Sequence, residues 1–204
     1  MMKRILIFAI FTAIALTVHS QNFKYGISIG SNYSNLVIEN PLESESSYKL
    51  GYQFNLITCY KLNDKLDLRF EPGFVNRGAV LRIFGQAEQK VELNYFSFPL
   101  LLNYSPLKKF TVTFGPEYSY KLNSNFDNTN QNILKYLVDR KYDIGLVAGV
   151  STQAFNKFEI GLRFNRGLIS TSKGLIKYRD LNGDEHESKF FNQGLALSLA
   201  YFVN

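Results

Sequence analysis

Hydrophobic and polar residues alternate one by one along most of this chain, in eight separate stretches. In the first stretch, Tyr25, Ile27 and Ile29 share one face, and the small residues between them share the other. A period of two is the mark of a β-strand with two unlike faces. The eight strands so predicted cover residues 23–33, 48–60, 66–76, 91–104, 110–122, 142–150, 158–164 and 195–201.

The connectors between these strands are alternately long and short. Three are short turns, at residues 61–65, 105–109 and 155–157, and four are long polar loops, at residues 34–47, 77–90, 123–141 and 165–190. Short turns on the periplasmic rim and long loops on the other rim are typical of outer-membrane β-barrels. The pattern therefore predicts an all-β fold, an eight-stranded antiparallel up-and-down transmembrane β-barrel with both chain ends on the periplasmic rim.

The strands of a soluble barrel also alternate apolar and polar residues, but their apolar face points inward. The residues on each face therefore decide between a soluble barrel and a membrane barrel. The less apolar face carries charges of both signs, which can pair inside a closed barrel, where a buried charge needs a partner. We therefore predict a lumen charge network. Its members are Asp67, Arg69, Glu71, Glu92, Glu117, Lys121, Asp143, Glu159 and Arg163.

Glycine and aromatic residues favour a lipid-facing apolar surface. Ten of the 14 glycines fall on the predicted inner face, where small side chains suit a crowded lumen. Tyr and Phe collect near the strand ends on the other face, as in the aromatic girdles of membrane barrels. The same rings turned inward would overfill an eight-stranded barrel. The sequence therefore favours a membrane barrel over a soluble one.

Two features interrupt the strand pattern. The phase of alternation slips near Tyr95 and Phe96, and a β-bulge in the fourth strand would produce such a slip. Pro72, Pro99 and Pro116 fall inside predicted strands, although proline removes a ladder hydrogen bond and a closed barrel has no edge strand to accommodate it. We expect bulges or strand ends near the extracellular rim to absorb these prolines.

The first 20 residues differ from the rest of the chain and predict a secretory signal peptide. Two basic residues give a positive start, an uncharged run of 14 residues follows, and Val18 and Ser20 are small enough for a cleavage site before Gln21. That run is short for a spanning helix, which needs about 20 apolar residues. The expected domains are a signal peptide, residues 1–20, and an outer-membrane barrel, residues 21–204, exported to the Gram-negative outer membrane.

Composition narrows the possible partners. The signal peptide contains two of the 23 basic residues, which leaves 21 against 17 acidic ones. This small surplus forms no basic cluster, so we expect no nucleic acid as a partner. Cys59 is the single cysteine, which rules out an internal disulfide, and it lies on the predicted lumen face as packing.

No catalytic set, cofactor or metal site is predicted, and we expect no enzyme. His186 would be the one histidine after signal-peptide removal, and a lone loop histidine is not expected to be a catalytic base. Residues 180–187 are rich in oxygen-bearing side chains and could hold a calcium ion. However, Asn182-Gly183 is a strong hairpin signal, and Gly183 sits too early for an EF-hand loop. We therefore favour a hairpin there.

Five segments carry a resemblance to a known family. They are EPGF at residues 71–74, YFSFPLLLNY at 95–104, FGP at 114–116, YDIGL at 142–146 and RFNRGL at 163–168. With the predicted signal peptide, they resemble the PorT-like outer-membrane β-barrel family of small Bacteroidetes proteins over nearly the whole mature chain. The resemblance implies that strand prolines are tolerated in this architecture. It also implies a link to protein secretion, because the named member serves a secretion system.

Three functions follow as hypotheses. The first is a structural or interaction barrel, embedded in outer-membrane lipid, whose long loops meet another envelope or surface protein, as an accessory to protein secretion. Loops 123–141 and 165–190 are the best candidates, because binding usually sits on loops of a rigid scaffold. The alternative is a narrow conduit for small solutes or ions, although eight strands leave an interior about filled by side chains. The least supported hypothesis is a membrane enzyme that uses His186.

Overall fold

The structure is a computed structural model that describes residues 22–39, 44–83, 87–127, 131–174, 176–179 and 185–203. The predicted signal peptide lies outside the described residues. The strands are β1 (Phe23–Glu39), β2 (Ser44–Lys61), β3 (Leu66–Phe70), β4 (Gly73–Ile83), β5 (Gln89–Leu107), β6 (Phe110–Phe126), β7 (Tyr142–Phe155), β8 (Phe158–Gly167), β9 (Ile176–Arg179) and β10 (Glu185–Phe202), and the helix is α1 (Gln131–Leu137). Within these ranges, no helix is long and apolar enough to cross a membrane.

The sheet closes into a ring of eight wall positions. β1 pairs with both β2 and β10, which joins the first strand to the last. β3 and β4 share one wall position, because each pairs with β2 on one side and with β5 on the other. β9 pairs only with the start of β10 and lies outside the ring. The predicted eight-stranded antiparallel barrel is confirmed.

The short turns and both ends of the described chain lie on one rim. The backbone N–H of Lys61 donates to the carbonyl of Asn22 at 2.8 Å, which joins the β2–β3 turn to the start of β1. The N–H of Phe202 donates to the carbonyl of Lys157 at 2.9 Å, which joins the end of β10 to the β7–β8 turn. This short-turn rim is the periplasmic one.

The strands continue further toward the opposite rim than the sequence predicts. Residues 34–39 and 44–47 extend β1 and β2, and residues 77–83 and 89–90 extend β4 and β5. The prediction of long loops at 34–47 and 77–90 is therefore wrong. The other two predicted loops also contain regular structure, namely the end of β6, the helix α1, the strand β9 and the start of β10.

The strand β5 explains why these extensions escaped the sequence analysis. Odd-numbered side chains face inward along its whole length. The inner residues change from apolar Val91 and Leu93 to a mixed set, in which Ser97 and Asn103 are polar and Leu101 is apolar. The outward face changes in the opposite sense: it is polar on the extracellular side of Phe96 and apolar on the periplasmic side. The barrel therefore has a water-exposed upper part with an apolar interior, and a lipid-exposed lower part with a polar interior.

The predicted phase slip near Tyr95 marks this boundary, and β5 has no bulge there, because its pairing with β4 runs without a shift. The irregularity lies on the neighbouring strand: Asn94 pairs with Asn123 and Tyr95 with Lys121, so that Leu122 of β6 is left over. The prediction of a bulge in the fourth strand is thus corrected to a bulge in β6. The register shift between β5 and β6, at Asn94 and Tyr95, lies next to the slip predicted near Tyr95 and Phe96.

The apolar outer surface has the height of a bilayer core. On β5 it runs from Phe96 to Tyr104, both with exposed rings. At about 3.4 Å per residue, these eight steps cover ~27 Å along the strand. A tilt of ~40° reduces this to ~21 Å, close to the ~25 Å apolar band of outer-membrane barrels.

The three strand prolines sit around a local gap in the wall. Pro72 separates β3 from β4, and the N–H of Glu71 beside it still donates to the carbonyl of Pro99 at 3.1 Å. In the β5–β6 ladder, Pro99 pairs with Glu117, and the next pair is Leu102 with Phe114. The unpaired gap between these two pairs contains Pro116. The wall thus loses hydrogen bonds at one place beside the charged centre of the lumen, and the prediction that places these prolines near the extracellular rim is wrong.

Candidate functional site

Four charged side chains meet in the middle of the lumen, and we call them the charge cluster: Arg69, Glu71, Glu159 and Arg163. Arg69 donates from Nε to Glu71 and from Nη1 to Oε1 of Glu159 at 2.7 Å. Arg163 donates from both terminal nitrogens to Glu71, with Nη2 at 3.0 Å from Oε1. Arg69 and Glu71 are each only 1% exposed. Glu71 therefore bridges two guanidinium groups, and the cluster is charge-neutral.

The strand geometry explains why these four side chains meet. Inward positions on β3 and β8 recur every second residue, which places Arg69 and Glu159 toward the periplasm and Arg163 further up. Gly149 pairs with Arg163 on the adjoining β7, and a Cβ added at Gly149 would lie 2.7 Å from Cγ of Arg163. The missing side chain therefore leaves the space that the arginine occupies.

A second ion pair lies above the charge cluster. Arg77 donates from Nη2 to Oε1 of Glu117 at 2.5 Å, and Ser119 donates to the same oxygen at 3.3 Å. A cavity of about 30 Å³ lies between this pair and the cluster, with Glu71 and Arg163 also in its wall. A space of this size holds about one or two waters. Solutes therefore have no open path through this part of the lumen.

A buried polar row follows above the second ion pair. Asn192 donates from Nδ2 to Oδ2 of Asp143 at 2.7 Å and to the hydroxyl of Tyr95 at 3.2 Å. All three side chains are buried. Asp143 is thus held by a neutral amide, whereas the other deep carboxylates, Glu71 and Glu117, are held by arginines.

Three further members of the predicted lumen network lie outside the charge cluster, the second ion pair and the polar row. Asp67 lines a cavity at the periplasmic rim. Lys121 donates its ammonium to the carbonyl of Val138, just past the end of α1. Glu92 is a correction: it lies on the outward face of β5, where it forms salt bridges at 3.0 Å with Lys90 and 3.4 Å with Lys49. The prediction of an inward Glu92 depends on a bulge at Tyr95, and β5 has no bulge there.

An apolar cluster closes the lumen above the polar row, and we call it the cap. It consists of Leu36, Val75, Ala79, Leu81, Val91, Leu93, Tyr95, Leu134, Leu137, Val138 and Phe190. Leu134 and Leu137 come from α1, Val138 follows it directly, and all three are buried, so the helix lies against the barrel mouth. The charged lumen is therefore sealed from the extracellular side.

Hydrogen bonds fasten the end of α1 to the loop before β9. Thr171 donates its hydroxyl to the carbonyl of Leu137 at 2.8 Å. The guanidinium of Arg140 donates to the carbonyls of Ser170 at 2.6 Å and Ser172 at 3.1 Å. The hydroxyl of Thr171 and the ammonium of Lys121 thus satisfy carbonyls at the end of α1, where a helix leaves them without partners, whereas Arg140 binds the carbonyls of the loop. The cap is thus held by polar bonds as well as by apolar packing.

Several residues of this site are not predicted from the sequence. Arg77 was assigned to a loop, although it continues the inward series of Arg69, Glu71 and Val75 at a period of two. The helix α1 also fell in a predicted loop. The spacing of Leu134, Leu137 and Val138, at i, i+3 and i+4, is the signal that could have indicated it.

The structure also bears on the predicted calcium and histidine sites. Among the residues that the structure describes, no group of three or more His, Cys, Asp and Glu side chains is placed to hold a metal ion. Residues 180–184 of the calcium candidate lie outside the described residues. The predicted hairpin is confirmed in its two arms, because Arg179 pairs with Glu185 and Ile176 with Ser188. His186 belongs to β10, opposite Tyr178, and the prediction of a loop histidine is corrected to a strand position.

A closed antiparallel ring with an apolar outer band and a charged lumen defines a transmembrane β-barrel. The sequence model of the outer membrane protein β-barrel domain matches residues 19–173. The chain therefore belongs to this family of outer-membrane β-barrels, and it sits in the lipid bilayer of the Gram-negative outer membrane.

Several solved outer-membrane proteins are similar to the chain at low sequence identity. Neisserial surface protein A is 11% identical, with 87% of this chain and 96% of that one covered and a TM-score of 0.49. The attachment invasion locus protein Ail of Yersinia pestis is 14% identical, with coverages of 89% and 99% and a TM-score of 0.49. OprG of Pseudomonas aeruginosa is 10% identical, with coverages of 89% and 94% and a TM-score of 0.42. No curated protein sequence matches the chain.

Proposed function

We propose that this protein is a closed barrel whose extracellular end binds another envelope or surface protein, as an accessory to protein secretion. The observation that carries the proposal is the cap. Because the cap seals the mouth above a lumen that is filled with ion pairs, the outer surface is the part of the barrel that is available to act. The secretion role is inferred from the PorT-like resemblance, and the predicted signal peptide agrees with export to this membrane.

The extracellular end has the properties of a preformed binding surface. Its strands extend above the apolar band, so that the surface rests on paired β-structure and would lose little conformational entropy on binding. On top of the mouth, α1 buries Leu134 and Leu137 and presents Tyr136, which is 71% exposed. An exposed tyrosine on a rigid element is the kind of side chain that dominates protein interfaces. We therefore place the centre of the partner surface on α1.

Site-specific photocrosslinking in native membranes tests this proposal. A photoreactive phenylalanine derivative at Tyr136 is expected to give one discrete protein adduct. The same residue at Leu197, which is lipid-facing and 54% exposed, is expected to give none. The adduct at Tyr136 should decrease at least about tenfold when neighbouring Lys135 is replaced by Glu, because rim charges govern association. Identical adducts at both positions, or none at Tyr136, would contradict a partner surface on α1.

The conduit alternative predicts ion flow through the lumen. We expect the purified protein to give flat current traces in planar bilayers at all applied voltages, because the cap and the charge cluster both block the passage. Stepwise conductance that changes when Arg163 is replaced by Gln would instead support the conduit. An inserted 16-stranded porin, which has an aqueous channel, serves as the positive control.

A further inference from the structure

The periplasmic rim encloses a cavity of about 160 Å³ below the charge cluster. Its basic lining residues are Lys24, Arg69, Lys108, Lys109 and Lys157, and its acidic ones are Asp67 and Glu159. Five basic against two acidic side chains give the wall a net charge of three positive. The space is far larger than the ~10–15 Å³ that one water needs. The cavity is therefore large enough for a small anion.

The basic excess is not neutralised within the wall. Counting only the residues that the structure describes, no carboxylate oxygen lies within 4.0 Å of the ammonium of Lys24, Lys108 or Lys109. Glu159 is already bound by Arg69 at 2.7 Å. Three ammonium groups thus border the cavity without a salt bridge.

An apolar groove adjoins the cavity on the outer side of the same rim. Phe155, Phe158 and Tyr201 line this groove together with Lys109 and Lys157. Both lysines and Phe158 also line the cavity, so that the two spaces meet at the β7–β8 turn. Lys157 is fixed there, because its ammonium donates to the carbonyl of Val203 at 2.7 Å. A basic cavity and a lipid-facing aromatic surface therefore share one edge.

We propose that the periplasmic cavity binds a phosphate-bearing anion. A phosphate offers several oxygens at once, and lysine binds it as a point charge, which suits a cavity wall that includes three ammonium groups without a salt bridge. The phosphate can come from the headgroup of an inner-leaflet phospholipid, with its acyl chains against Phe155 and Tyr201, or from a free phosphorylated solute of the periplasm. The binding chemistry is the same in both cases.

Calorimetric titration with sn-glycerol 3-phosphate, on the protein folded in a maltoside detergent free of phosphate, tests the site. The triple variant Lys24→Gln/Lys108→Gln/Lys109→Gln is expected to weaken binding at least about tenfold, because charge-assisted contacts to phosphate are lost. The control variant Lys141→Gln/Lys173→Gln/Lys189→Gln removes the same charge at the extracellular end of the barrel, away from the cavity, and should retain the affinity. Equal weakening in both variants, no binding to the unmodified protein, or equally tight binding of glutarate would overturn the proposal.

A second measurement separates the two sources of phosphate. Phosphatidylglycerol retained by the protein is counted by native mass spectrometry after extraction from nanodiscs. If a phospholipid is the ligand, Phe155→Ser should lower lipid retention while leaving glycerol phosphate affinity unchanged, because Phe155 lines only the outer groove. Unchanged retention in Phe155→Ser, with glycerol phosphate still bound, supports a free solute. Retention and titration that are both insensitive to the cavity lysines would exclude the site.

Discussion

Replacing Glu71 with Ala is expected to destabilise the barrel by about 3–5 kcal/mol, the usual cost of removing one partner from a buried ion pair. Glu71 accepts hydrogen bonds from both Arg69 and Arg163 at the centre of the lumen. Without it, Arg163 has no carboxylate partner left in the charge cluster, and Arg69 keeps only Glu159. Urea unfolding in phospholipid vesicles, followed by tyrosine fluorescence, gives the free energy directly.

Two further variants separate charge from packing at this position. Glu45→Ala removes an exposed carboxylate that pairs with Arg82, and it should change stability by less than about 1 kcal/mol, as for other surface salt bridges. The quadruple variant Arg69→Met/Glu71→Leu/Glu159→Leu/Arg163→Met replaces all four ions of the charge cluster with apolar side chains and should recover most of the lost stability. A loss below about 1 kcal/mol in Glu71→Ala would mean that water reaches both arginines, and the lumen would then not be sealed.

The lower half of this barrel could be predicted from the sequence because two simple rules coincide there. Outward positions such as Ile29 and Leu197 must be apolar in lipid, and most inward positions are small, polar or paired. The resulting period of two is strong enough to predict eight strands, the lumen face and the members of the charge cluster. The short periplasmic turns followed from the same alternation.

The upper half could not be predicted, because the outer face there meets water instead of lipid and the interior is apolar instead of polar. Above Tyr33 on β1 and Phe96 on β5, the outer face meets water and the inner face packs in the cap. Polar and apolar residues thus exchange faces while the strand continues, so Leu36 reads as a loop residue. Partners such as Asn192 and Asp143, which are 49 residues apart, are joined only by the closure of the ring. No local pattern carries that information.

Arginine substitutions along β1 provide the sharpest test of this reversal. Ile29→Arg places a charge on the outer face at mid-height of the apolar band and should cost about 2–4 kcal/mol in vesicles. Val37→Arg lies on the same outer face eight residues later, above the band, and should change stability by less than about 0.5 kcal/mol. Both variants are compared by urea unfolding in the same vesicles.

The residue next to Val37 should behave in the opposite way, because Leu36 is fully buried in the cap. Leu36→Arg buries an unpaired charge among apolar side chains and should cost several kcal/mol, although it lies at the same height as Val37. A uniformly lipid-facing barrel would instead make Val37→Arg as harmful as Ile29→Arg and would tolerate Leu36→Arg in a polar lumen. Because the three variants introduce the same side chain into one strand, their differences can come only from the surroundings of each position. A costly arginine at Leu36 beside a tolerated one at Val37 thus requires an apolar interior beneath a water-exposed wall, which is the arrangement that seals this barrel.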